Sequence, residues 1–170
     1  MTRIIPTSVP GLPDPAPRTI YRSPEGADVL DCHPREVPQL LAEGGPLWVD
    51  IDSTVRSQHA LLEKVFGFHP LAIEDTLNPS SRVKLEEYPG YLYIVIRAVQ
   101  FAHHTDDPYD LETKDLHCFL GPSFLVTVHA GAVAPVDSMH DTLRRSPELL
   151  SRGVERTLHA ILDATIDAYF

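Results

Sequence analysis

Apolar residues alternate with a period of two in several short stretches of this chain and switch to a helical period toward its end. Leu116, Cys118 and Leu120 alternate, as do Phe124, Val126 and Val128, with Gly121 and Pro122 between the two sets. That pattern predicts two antiparallel strands of one sheet. Residues 91–97 are a β-branched and aromatic run after a Pro89, Gly90 turn and predict another strand. Residues 46–51, with Leu47, Trp48, Val49 and Ile51, read as a buried strand. Residues 19–21 and 27–32 read as short strands around a turn at residues 23–26. A short helix over 37–42 is closed by Gly44 and Gly45. Asp52 and Ser53 are placed to cap a helix over 55–66, with Leu61, Leu62, Val65 and Phe66 as its apolar stripe and Gly67 as its stop. Pro70 opens the next helix and Asn78 with Pro79 ends it. Val136, Met139 and Leu143 mark a further helix, and Val154, Leu158, Ile161, Leu162 and Ile166 mark the last. Strands with helices before, between and after them imply an α/β fold: a three-layer α/β/α sandwich whose mixed, mainly antiparallel sheet is covered on both faces.

The ends of the chain read differently. Residues 1–18 contain Pro6, Pro10, Pro13, Pro15 and Pro17, which cannot sustain a helix or a strand ladder, so a disordered leader is expected there and one domain over 19–170. Residues 103–109 form a polar loop. The last helix stops on Ala168, Tyr169 and Phe170 with no Gly, Asn or Pro terminator, so it is expected to continue beyond them. No run of about 18 apolar residues occurs, so the sequence predicts no membrane span.

The net charge of −10 argues against nucleic-acid binding, which needs clustered Lys and Arg, and is compatible with cations as partners. Most of that charge also fits a merely solubilising surface. Cys32 and Cys118 lack metal-ligand spacing and read as reduced core residues. No G-x-S-x-G elbow, P-loop or G-x-G-x-x-G segment occurs, and no spacing assigns a general acid and base, so the chain is not read as an enzyme.

Two acidic constellations are candidates for cation binding. Glu74 and Asp75 are adjacent on a short helix on which Leu71, Ile73 and Leu77 are expected to face the core. Acids near a helix start are also favoured by the macrodipole alone. Glu155, His159, Asp163 and Asp167 recur every four residues along the last helix, in one stripe opposite Leu158, Leu162 and Ile166. Acids four apart repel, which an isolated helix does not need, and a hydrated Mg²⁺ takes one or two carboxylates. A solvated amphipathic face accounts for the stripe equally well. His103 and His104 beside Asp106 and Asp107 are a weak zinc pattern, because zinc needs three or four ligands. His69 is expected to pack or cap, and His33 and His129, at strand ends, carry no readable signal.

Trp-Val-Asp-Ile at 48–51, Phe-Gly-Phe-His-Pro-Leu-Ala-Ile-Glu-Asp at 66–75, Leu-Asn-Pro-Ser-Ser-Arg-Val-Lys-Leu-Glu-Glu-Tyr at 77–88 and the final Leu-Asp-Ala-Thr-Ile-Asp-Ala-Tyr-Phe at 162–170 resemble, in order, the cytoplasmic domain of CorA-type magnesium transporters. The resemblance covers most of the chain from about residue 46 onward. It implies a regulatory domain on the cytoplasmic side of the inner membrane, assembled as the funnel of a homopentameric channel. Mg²⁺ bound between protomers would bridge carboxylates and favour the closed state; Co²⁺, Ni²⁺ or Zn²⁺ are further candidate ions. By motif, Asp75 matches the family's principal sensing aspartate, Glu74 and Asp163 a neighbouring ion site, and Asp167 a common acid. The family's Gly-Met-Asn pore signature and the stalk acid that would face Asp75 are not in this sequence. The chain is therefore expected to be cut before the stalk and to carry half of a sensing site. A related zinc transporter domain and a free-standing protein-interaction module are the alternatives.

Overall fold

The computed structural model describes residues 14–170 except 103 and 108. Strands β1 (Arg18–Arg22), β2 (Asp28–Leu30), β3 (Leu47–Asp52), β4 (Lys84–Tyr88), β5 (Tyr91–Phe101), β6 (Leu111–Leu120) and β7 (Phe124–His129) form one seven-stranded sheet. Their order is β2-β1-β3-β7-β6-β5-β4. Every pairing is antiparallel except the central one between β3 and β7, which is parallel. The helices are α1 (Val37–Glu43), α2 (Arg56–His59), α3 (Leu61–Lys64), α4 (Pro70–Asp75), α5 (Ala134–Arg145) and α6 (Val154–Asp167), with a 3₁₀ segment at Pro147–Arg152.

The alternation of side chains along the strands builds two cores. On one face Leu47, Val49 and Ile51 of β3 meet Val126 and Val128 of β7, Tyr93 and Val95 of β5, and the helices α1, α3 and α4 through Val37, Leu62 and Ala72. On the other face Trp48, Leu125, Leu116 and Cys118 meet Val136 and Leu143 of α5, Leu150 of the 3₁₀ segment, and Leu158 and Ile161 of α6. The three-layer mixed α/β arrangement expected from the pattern is the one observed. Cys32 and Cys118 are both free and buried.

Several local expectations need correction. The single helix expected over 55–66 is two short helices broken at Ala60. Asp52 does not cap it: its Oδ1 accepts from the N–H and hydroxyl of Thr54, while Val55 occupies the cap position with no side-chain bond. In α4 the core side is taken by Ala72 and Thr76, four residues apart and small enough to let the helix lie close to the sheet, whereas Leu71 and Leu77 are 62% and 58% exposed. In α6 the buried side is Leu158, Ile161 and Thr165, and Ile166 is exposed. Residues 1–13 of the expected leader lie outside the described residues, and Arg18 already belongs to β1.

A charged pair sits inside the sheet. Asp50 is 3% exposed, between the fully buried Val49 and Ile51 of β3. Its cross-strand neighbours are Arg18 on β1 and Thr127 on β7, so three polar side chains lie in one row. Arg18 donates from Nε at 2.9 Å and from a terminal nitrogen at 2.5 Å to Asp50 Oδ2. Thr127 donates to Asp50 Oδ1 at 2.5 Å and in turn accepts from Trp48 Nε1 at 3.0 Å. His129, two residues farther along β7, places Nε2 2.8 Å from Asp50 Oδ1 and Nδ1 2.5 Å from the Gly131 carbonyl. Both partners of the ring are acceptors when Asp50 is ionised, so the imidazole must carry both protons. Arg18 extends the network to Asp137 on α5 at 2.8 Å.

Burial by itself would raise the Asp50 carboxyl, but the charge and hydrogen bond of His129, then the charge of Arg18 and the hydroxyl of Thr127, more than offset it and hold the group below its ordinary value. Burial would likewise lower His129, and the Asp50 charge and bond together with the Gly131 carbonyl raise it instead. The signs set the pH window. The His129 contribution is complete below the unfolded value of 6.5 and is lost as pH rises through the raised folded value; the Asp50 contribution is complete above 3.8 and is lost as pH falls through the lowered one. Urea unfolding is therefore expected to show this network's full contribution between those two values, with stability declining on the alkaline side through His129. Asp50→Asn should cost about 3–5 kcal/mol near neutral pH, because it leaves Arg18 and the His129 cation without their counter-ion.

Candidate functional site

Helix α4 begins with His69 as its cap. His69 Nδ1 accepts from the Leu71 N–H at 3.2 Å, the His69 N–H donates to the Tyr91 hydroxyl at 2.9 Å, and Pro70 occupies the first turn, where its missing donor costs nothing. The imidazole also lies against Tyr88, with ring centroids 5.2 Å apart. His69 is thus a packing and capping residue, as the sequence suggests. Its placement fixes where α4 starts, and the six-residue helix then delivers Glu74 and Asp75 to its last turn.

The two acids differ in surroundings. Glu74 is exposed and has no side-chain partner among the described residues. Asp75 is half-buried and accepts from Lys84 Nζ at 2.6 Å. Lys84, on the edge strand β4, also donates to Glu86 at 3.0 Å and lies 5.4 Å from the centroid of the Tyr93 ring. The Asp75 hydrogen bond is the main reason that the Lys84 ammonium is raised above its ordinary value, against burial and with help from Glu86. One oxygen of Asp75 is therefore already neutralised within the chain. Lys84 and β4 were not identified from the sequence: Lys-Leu-Glu-Glu-Tyr offers no apolar alternation, because an edge strand there leaves Leu85 66% exposed.

Glu155, His159, Asp163 and Asp167 all lie on the exposed side of α6, so the stripe expected from their spacing exists as a surface. It does not meet Glu74 and Asp75. Helix α4 belongs to the layer built on Ala72 and Leu62, and α6 to the opposite layer built on Leu158 and Ile161, with the sheet between them. Among the described residues no three His, Cys, Asp or Glu side chains gather closely enough to hold a metal ion. The His103, His104 pattern falls partly outside the described residues; His104 Nδ1 lies 3.8 Å from Glu112. His129, which carried no signal in the sequence, is buried in the Asp50 network. The signal available was Asp50 itself, since a charge inside an apolar strand must have partners.

The donor set on these surfaces is mostly carboxylate. Glu74, Asp75, Asp163 and Asp167 offer carboxylate oxygen, which suits a hard divalent cation that keeps several of its waters, and His159 on the same side of α6 is the one nitrogen donor beside them. No helix among the described residues is long and apolar enough to cross a membrane.

Comparison with known proteins bears on the family and the fold. The family described as "CorA-like Mg2+ transporter protein" matches residues 43–170. The relative YfjQ of Bacillus subtilis strain 168, provisionally named a metal ion transporter, is 35% identical over 72% of this chain, which spans 36% of that protein's length. The soluble domain of CorA from Methanocaldococcus jannaschii has the same fold, with a TM-score of 0.65 at 17% identity over 89% of this chain and 56% of that one. So does the ZntB cytoplasmic domain from Vibrio parahaemolyticus, with a TM-score of 0.63 at 11% identity over 90% of this chain and 60% of the other. Because that family's model matches residues 43–170, three quarters of its length, this chain belongs to the CorA-like Mg²⁺ transporter family.

Proposed function

We propose that this chain is the regulatory domain of a divalent-cation transporter and that it binds Mg²⁺ between protomers through Glu74, Asp75, Asp163 and Asp167. The carrying observation is the separation of the two acidic surfaces. They lie in opposite layers of one chain, and within a single copy no cluster of ligands reaches a metal-binding number among the described residues. Two different surfaces of the same chain can share an ion only when one copy's α4 faces the next copy's α6. Such a contact is heterologous, and a heterologous contact that closes produces a ring. A ring of this kind is what a homopentameric channel domain requires. Mg²⁺ held by one or two carboxylates from each side would draw neighbours together, and its loss would leave facing acids that repel. Within the whole transporter, the domain would sit on the cytoplasmic side of the membrane.

Lys84 sets the strength of the site. Its ammonium occupies one oxygen of Asp75, so an arriving cation must displace it or use the other oxygen through a bound water. This makes binding weak, in the range in which a sensor of free Mg²⁺ responds.

Ring formation by the Mg²⁺-bound chain is measurable by sedimentation. Millimolar Mg²⁺ is expected to promote association of this chain, and Asp75→Ala combined with Asp163→Ala should abolish the response; a doubly substituted chain that associates as before removes the site assignment. Lys84→Ala should raise the apparent Mg²⁺ affinity by up to about fivefold, the equivalent of the surface ion pair it no longer competes with. Because the fold is shared with a ZntB domain as well as with CorA, calorimetry with Zn²⁺ against Mg²⁺ decides the ion. Sub-micromolar zinc binding without a magnesium response would make this the domain of a zinc transporter; no response to either would leave a protein-interaction module.

A further inference from the structure

The parallel pair β3 and β7 creates a second feature at its carboxyl end. From β3 the chain moves into the layer of α2, α3 and α4; from β7 it moves to α5 on the opposite face. Adjacent parallel strands whose continuations diverge leave a crevice outside their carboxyl ends, the usual ligand position in an open α/β sheet. A cleft of about 460 Å³ lies there, between the loop after β3, the residues after α4, the start of β6 and the loop after β7. Its volume is in the range of small-molecule sites.

The free polar groups lining it can each donate a hydrogen bond, and the hydroxyls can also accept one. Lys114 Nζ has one hydrogen bond, a long one of 3.4 Å to the Ala130 carbonyl. Asn78 accepts the Ser80 N–H through Oδ1, which leaves its amide nitrogen free. Among the described residues the hydroxyls of Ser53 and Thr113 have no partner. The one carboxylate in the lining, Asp115, is paired with a cation and bonded at both oxygens: Arg97 Nε donates to Oδ1 at 2.9 Å and the Ser81 N–H to Oδ2 at 2.9 Å.

His117 adds a donor from a ring that is otherwise buried. It is 2% exposed, and its Nδ1 lies 2.8 Å from the hydroxyl of Tyr93, which is fully buried and has no other partner. A buried hydroxyl hydrogen needs an acceptor, so Tyr93 donates to Nδ1 and the ring proton resides on Nε2. That Nε2–H has no protein partner among the described residues. Burial lowers the imidazole to about 4, so the ring is neutral and keeps this single proton at ordinary pH.

We infer that this cleft binds a small oxyanion, a carboxylate or a phosphate, through Lys114, the Asn78 amide, the hydroxyls of Ser53 and Thr113, and His117 Nε2–H. An acceptor-rich anion satisfies every free donor there, whereas a cation would meet the Lys114 ammonium and no uncommitted carboxylate. The cleft begins one residue beyond Asp75, but Glu74, Asp75, Asp163 and Asp167 are not in its lining, and the inference does not require those acids to bind Mg²⁺.

The test titrates sodium phosphate and sodium citrate into the metal-free chain, against sodium chloride at matched ionic strength, following melting temperature and amide chemical shifts. A saturable rise in melting temperature is expected with phosphate or citrate, with shifts at Lys114, His117 and Ala130; the anion that acts identifies the source. Lys114→Ala and Asn78→Ala alter less buried side chains and should each weaken binding about tenfold, as loss of a hydrogen bond to a charged ligand does. His117→Leu should do the same, and the two milder variants decide the matter if it fails to fold. The inference is overturned if chloride reproduces the response, if no saturable response occurs at millimolar anion, or if Lys114→Ala binds as tightly as the unsubstituted chain.

Discussion

Everything on either face of the sheet depends on the parallel pairing of β3 with β7. The two strands are far apart in sequence and meet register for register from Leu47 against Phe124 to Asp52 against His129. Apolar pairs such as Val49 with Val126 would tolerate a slip poorly, since a shift of one residue turns each side chain to the other face. The row of Arg18, Asp50 and Thr127 tolerates it less, because any shift strands a buried carboxylate. Asp50 thus acts as a register pin: it ties the first strand, the two central strands and, through Arg18 and Asp137, the helix that follows.

That pairing decides which helices share a layer. With β3 leading into one layer and β7 into the other, α4 and α6 are held on opposite sides, and so are their acids. A charged surface that one chain cannot complete is a different object from a binding pocket. On the proposed reading it acquires a consequence only when copies meet. The half-buried Asp75 is meanwhile paired within the chain by Lys84. The crevice at the carboxyl ends follows from the same divergence of β3 and β7.

Much of this architecture was legible in the sequence because buried strands and amphipathic helices announce themselves by period. Strands β5, β6 and β7 and helices α5 and α6 lie where the alternation places them. What failed did so for physical reasons. β4 is an edge strand with exposed Leu85 and the charges Lys84, Glu86 and Glu87, so it shows none of the alternation that reveals inner strands. Helix α4 has only six residues, too few for a period to choose between Leu71 and Ala72 as the inward residue. The acids of α4 and α6 were identified as individual groups, but their placement in separate layers was not, because layer assignment follows from strand order. The Asp50 network was the least readable feature. Its members are scattered from Arg18 to His129, and only the register of three strands brings them together. Asp50 within Leu-Trp-Val-Asp-Ile was the one local indication that such partners had to exist.

The central claim, that the acidic surfaces of α4 and α6 complete one another only between copies, is open to a subunit-mixing measurement. Chains carrying Glu74→Ala keep an intact α6 surface, and chains carrying Asp163→Ala keep an intact α4 surface. Sedimentation of each variant alone in Mg²⁺ is expected to show little association, while an equimolar mixture forms mixed pairs, joined by the one intact interface available to them, and stops there. If each variant alone responds as strongly as the unsubstituted chain, or if the mixture stays as silent as its components, the account is contradicted.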